Sequence, residues 1–120
     1  MLKKIAIGIS ILFFIIGLLI FRPVPIVAED RALVVEGSVV AIRAGGTHDI
    51  VIKLKDDLTR YYINRGEELG LNILELQTTL MGQPVVLKYP KYWTPLDWND
   101  RVKHISKLEQ NGRVLFNELK

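Results

Sequence analysis

Residues 5–21, IAIGISILFFIIGLLIF, are 17 consecutive positions with no charge and nothing more polar than Ser10. Wound as an α-helix at ~1.5 Å per residue they reach about 26 Å, a little short of a ~30 Å hydrocarbon core. Lys3 and Lys4 before the run and Arg22 after it can extend to the headgroups and cover the shortfall. The expectation is an N-terminal membrane anchor over residues 1–22 that touches lipid through residues 5–21. A cleaved signal, giving a secreted or periplasmic product, is the alternative. It is disfavoured because such signals have an apolar centre of ~7–15 residues and a small-x-small cleavage site, whereas Ile26 precedes the best site, after Ala28. Lys3, Lys4 and the α-amino group favour a cytoplasmic N-terminus, which places the rest of a single-pass chain outside the cell membrane.

Beyond the anchor, roughly 90 residues remain, enough for one compact domain and too few for two. The formal charge of +3 suggests an anionic partner until it is located along the chain. Setting aside Lys3, Lys4 and Arg22, thirteen basic residues face thirteen acidic ones, so the domain is formally neutral. Nucleic-acid binders carry a basic excess that displaces counterions from phosphates, and this domain has none. The chain has no cysteine, which excludes disulfides, thiolate metal sites and a cysteine nucleophile.

Two prolines in RPVPIVAED stop the helix, and residues 23–31 are expected to be a juxtamembrane linker. A domain over residues 32–120 follows. ALVVEGSVVAIR reads as one long strand, with Gly37 in mid-strand marking a bulge or sharp coil. Its alternation slips between Val39 and Ile42, as an extra residue would make it do. Residues 49–55 alternate Ile50, Ile52 and Leu54 against Val51, Lys53 and Lys55, the pattern of a half-buried strand. After the Asp56-Asp57 turn, TRYYIN is a strand in which one of Tyr61 and Tyr62 must face outward. Asn72 as N-cap with Glu75 three residues on, and Gly82 at the far end, bracket a short helix bearing Ile73, Leu76, Leu80 and Met81 on one side. QPVVLKY is a further strand. Residues 103–109 and 113–118 flank Asn111-Gly112 as a hairpin.

This order, a bent first strand carrying a glycine, two more strands, a helix, a strand and a terminal pair, resembles the OB-fold family, in particular small exported or membrane-anchored bacterial domains of unknown function. The resemblance implies a mainly β chain: an N-terminal transmembrane helix, then a five-to-six-stranded barrel with one short helix between its third and fourth strands. It also implies that the loop between strands four and five is one rim of a binding face. That loop, residues 89–98, holds four of the ten aromatic residues and two prolines.

The candidate partner-binding residues are therefore Lys91, Tyr92, Trp93 and Trp98 from the loop, with Arg60 and Tyr62 extending the face. The plainer alternative is that the tryptophans cover the barrel end, with each indole N–H bonded to a carbonyl. Gly45-Gly46 lacks the Lys-Ser or Lys-Thr of a phosphate loop and reads as a turn. His48 and His104 read as surface residues; a hydrolase would need one of them beside a carboxylate in a pocket. No metal site, cofactor or catalytic group is assigned. The expectation is a non-enzymatic interaction module that binds a protein or envelope glycan, with a single-stranded nucleic-acid binder as the alternative.

Overall fold

The computed structural model describes residues 1–119. Lys120, the last position of the expected domain, lies outside the described residues. Helix α1, Leu2–Ile20, contains the apolar run, and none of its residues is buried. It is long and apolar enough to cross a membrane or to serve as a signal sequence. Its 19 residues account for about 28 Å of a molecule measuring 62 × 29 × 28 Å. The helix therefore projects from the domain instead of lying along it. The linker follows, with a single 3₁₀ turn at Glu29–Arg31.

Among the described residues, seven strands and one short helix follow: β1 Leu33–Ala44, β2 Ile50–Leu54, β3 Arg60–Ile63, α2 Ile73–Leu80, β4 Pro84–Tyr89, β5 Val102–His104, β6 Lys107–Gln110 and β7 Arg113–Asn117. They form one mixed sheet in the order β5-β3-β2-β1-β4-β6-β7. All neighbours are antiparallel except β3 and β5, which are parallel. The chain is mainly β, as expected, but this order has two ends, where the sequence predicts a closed barrel of five to six strands. The strand count rises because residues 102–110 change neighbours midway. The Ile105 N–H donates to the Tyr62 carbonyl and the Ser106 N–H to the Lys88 carbonyl, each at 2.7 Å. One short run thus serves β3 before Ile105 and β4 after Ser106.

The long first strand holds the sheet together because its two halves pair differently. Leu33 to Ser38 lie against β4, and Val39 to Ala44 against β2. The expected slip is present, but the extra residue is Val40, between Val39 and Ala41, and not Gly37. Gly37 matters for clearance instead. A Cβ there would stand 3.2 Å from Leu54 Cδ1, so the glycine lets β1 pass close to that side chain.

Strand β2 also departs from expectation. Val51, placed by alternation on the face of Lys53, is fully buried, because its Cγ2 lies against the backbone of Gly45 where the chain returns from β1. The core consists of Ile50, Ile52, Ile63, Leu80, Leu87, Ile105 and Leu108, all completely buried, with Val39, Tyr61 and Val85 around them. Each such side chain contributes about 1.5–3 kcal/mol of apolar burial.

Helix α2 is capped as predicted. The Asn72 side chain accepts the Glu75 N–H at 3.1 Å, Leu76 and Leu80 turn into the core, and Gly82 takes the left-handed φ of +74°. Met81, expected on the same side, is instead 43% exposed, because it leaves the helix to bridge Val39. Asn111 and Gly112 both adopt positive φ, as a tight turn between β6 and β7 requires.

Candidate functional site

Between β4 and β5 the chain runs without regular structure and carries the aromatic residues. Its shape is set locally by Asp97. One carboxylate oxygen accepts the Arg101 N–H at 2.9 Å, and the other accepts the Val102 N–H at 3.0 Å. The Asp97 carbonyl accepts the indole N–H of Trp93 at 2.6 Å, which fixes that ring within its own loop. Trp98 packs on Trp93, with ring centroids 6.4 Å apart and planes at 54°, yet remains 80% exposed. The indole–carbonyl bond foreseen for a packed tryptophan is thus made by Trp93, while Trp98 extends into solvent.

The loop is also tied to the end of the helix. Arg22 donates to the Trp93 carbonyl, the Tyr92 hydroxyl donates to the Arg22 carbonyl, and the guanidinium lies 4.9 Å from the centre of the Tyr92 ring. Arg22, expected only to flank the membrane run, therefore has a structural role in the loop.

Two clefts result, separated by Tyr92 and Trp93. The larger, about 500 Å³, lies between the helix end and the loop and is lined by Leu19, Arg22, Leu33, Lys91, Tyr92 and Trp93, among others. The smaller, about 170 Å³, lies between the loop and strands β3 and β5, with Tyr62, Tyr92, Trp93, Thr94, Leu96 and His104 in its wall. Of the predicted residues, Lys91, Tyr92 and Trp93 meet in the first cleft, and Tyr62, Tyr92 and Trp93 in the second. Trp98 joins them only through Trp93. Arg60 lines neither cleft: its guanidinium lies toward Gly45.

His104 corrects a sequence expectation. Read as a surface residue, it is 9% exposed on β5, with Nε2 against the Glu118 carboxylate and its ring edge-on to Tyr62 at 5.4 Å and 89°. The parallel pairing of Tyr62 with His104 brings these two rings together. Burial pushes the Tyr62 hydroxyl above the usual tyrosine range, with the carboxylate of Asp49 adding to the effect. The predicted outward tyrosine is thus Tyr62, but it is half-buried. Its neighbour Tyr61 points into the core and donates to Asp57 at 2.6 Å.

A histidine beside a carboxylate in a cleft is part of what a hydrolytic site needs. Among the described residues, however, His104 Nδ1 has no hydrogen-bond partner, so neither the Thr94 hydroxyl nor a tyrosine forms a nucleophile–base pair with it. Among the described residues no three His, Asp or Glu side chains gather as a metal site. His48 remains exposed on its turn, 3.3 Å from Glu67.

A separate ionic cluster fastens the linker to the sheet. Glu29 bridges Lys88 at 2.8 Å and Lys107 at 2.5 Å, and Lys107 also meets Glu109 at 2.7 Å. Hydrogen bonds from Lys107 and then Lys88 hold the Glu29 carboxyl at a pKa of about 2. This connection leaves no pattern in the sequence, because Lys88 and Lys107 stand 59 and 78 positions from Glu29.

Compared with protein-family models, with curated proteins and with solved structures, the chain matches none.

Proposed function

We propose that the chain is a membrane-anchored extracytoplasmic interaction module, tethered by α1 and binding a protein or envelope-glycan partner in the smaller aromatic cleft. The observation that carries this reading is the convergence of Tyr62, Tyr92 and Trp93 with His104 around one opening. Aromatic rings supply contact area at small cost in side-chain entropy. At about 170 Å³ the cleft is below the ~300–1,000 Å³ usual for small-molecule sites, so a partner's side chain or a single sugar ring suits it better than a whole cofactor.

An OB-like layout belongs to the same proposal. The step through Ile105 and Ser106, bonded to β3 on one side and β4 on the other, supports it, as does the position of α2 between β3 and β4. Single-stranded nucleic acid is the lesser reading, because Tyr62 already packs on His104 and Arg60 stands apart.

A photoreactive side chain at Leu96, on the exposed rim of the cleft, tests the proposal in native membranes. The expected result is a discrete protein or glycan adduct that weakens when Tyr62→Ala opens the cleft floor. An adduct confined to lipid, or one indifferent to Tyr62→Ala, removes the proposal, and an oligonucleotide adduct moves it to the lesser reading.

A further inference from the structure

The geometry points to a second contact, made by the outer side of the aromatic loop: we infer that Trp98, with Leu33 and Lys91, rests in the headgroup region of the same bilayer that α1 crosses. This rests on the proposed membrane span and goes beyond the partner cleft, which Trp98, Leu33 and Lys91 do not line.

Three observations lead to it. First, α1 projects from the domain, so the face of the domain around the helix end is the one nearest the membrane. Second, Arg22 fixes that face: it is the first charged residue after the apolar run, and it is held to Tyr92 and Trp93. An arginine at that position sits at the hydrocarbon boundary, and the loop bonded to it must stand at the same depth. Leu19, within the apolar run, lines the same cleft as Leu33, Lys91 and Trp93. Third, Leu33 and Lys91 in that cleft, and Trp98, which packs on Trp93 of its wall, have the chemistry of an interface. Trp98 is 80% exposed and Leu33 42% exposed, although large apolar side chains favour burial. Indole rings concentrate at headgroup depth, where the apolar body meets acyl chain and the N–H meets water, and a lysine beside them suits phosphate. Because Asp97 fixes the loop from within, the tryptophans are presented without further ordering. Anchored by the helix and resting on the loop, the domain is held at one height and tilt.

Trp93 and Trp98 are the only tryptophans in the chain, so its indole fluorescence reports on this loop alone. The full chain is reconstituted in phosphatidylcholine–phosphatidylglycerol vesicles, plain or carrying bromine on the acyl carbons next to the headgroup. The expected result is loss of emission in the brominated vesicles that persists in Trp93→Phe, where Trp98 is the sole emitter, together with protection from aqueous iodide. Trp98 emission indifferent to brominated lipid and quenched by iodide overturns the inference. Alkaline carbonate extraction of the same vesicles separates the two levels: a chain retained but unquenched refutes the loop contact alone, and a chain washed off refutes the span and the loop contact with it.

Discussion

Ile105→Ala removes a side chain that is completely buried at the point where the chain leaves β3 and joins β4. Truncating a buried isoleucine to alanine costs about 2–5 kcal/mol, the sum of lost transfer energy and the cavity left behind. The core around this site draws on β2, β3, β4 and β6, and strands cannot collapse inward without breaking their ladders, so the upper half of the range is expected. A domain of this size has a total stability of about 4–13 kcal/mol, and each kcal/mol corresponds to roughly 4–8 °C in Tm. The melting temperature should therefore fall by at least about 14 °C. Ser106→Pro tests the same junction through the backbone, because it deletes the N–H donated to Lys88 and leaves that carbonyl unpaired, which should cost about 1–3 kcal/mol. Val40→Ala, at the exposed bulge residue, is the control and should stay within about 0.5 kcal/mol. The assay is thermal unfolding of the full chain in detergent micelles, followed by near-ultraviolet circular dichroism. All tyrosines and tryptophans lie outside α1, so the signal reports on the domain. If Ile105→Ala shifts the midpoint no more than Val40→Ala does, then the β5–β6 junction does not unite the two ends of the core, and the OB-like layout goes with it.

Two further perturbations bear on packing and electrostatics. Gly66→Ala would place a Cβ 2.7 Å from Ile50 Cδ1 and 3.1 Å from Ile63 Cγ2, so a loss of about 1–3 kcal/mol is expected in the same melts; Ile50→Val, which deletes that Cδ1, should soften the Gly66→Ala penalty when combined with it, and an additive pair would refute the clash. Glu29 has its carboxyl lowered from 4.5 to about 2, so its stabilising contribution is present above pH 4.5 and lost as pH falls toward about 2. The Tm gap between the native chain and Glu29→Gln should therefore narrow through that window and narrow with added salt, since Glu29 is half exposed; a gap that widens on acidification contradicts the assignment.

Features dictated by neighbours in sequence were legible in advance. The uncharged, proline-free run of residues 5–21 is long and apolar enough to read as one helix, and Asn72, Glu75 and Gly82 bracket α2 by satisfying its terminal groups. Alternation revealed the strands, and Asn111-Gly112 revealed the terminal turn. The aromatic loop was visible as composition, and three of its proposed residues do line the two clefts.

What the sequence could not settle depended on contacts between distant segments. The parallel pairing of Tyr62 with His104 converts a histidine without local pattern into a buried neighbour of Glu118. Val51 is inside with Gly45 close beside it and Arg43 and Tyr62 as its strand neighbours, and the bulge falls at Val40 because pairing with β2, not the mid-strand glycine, sets the register. Arg22 reaches across 71 positions to Trp93, which turns a flanking charge into the brace of a loop. A residue's own chemistry and its near neighbours fix the conformation its backbone prefers. Which side of the resulting strand meets core, solvent or membrane is fixed by the segment packed against it, and that energy exists only once the chain has folded.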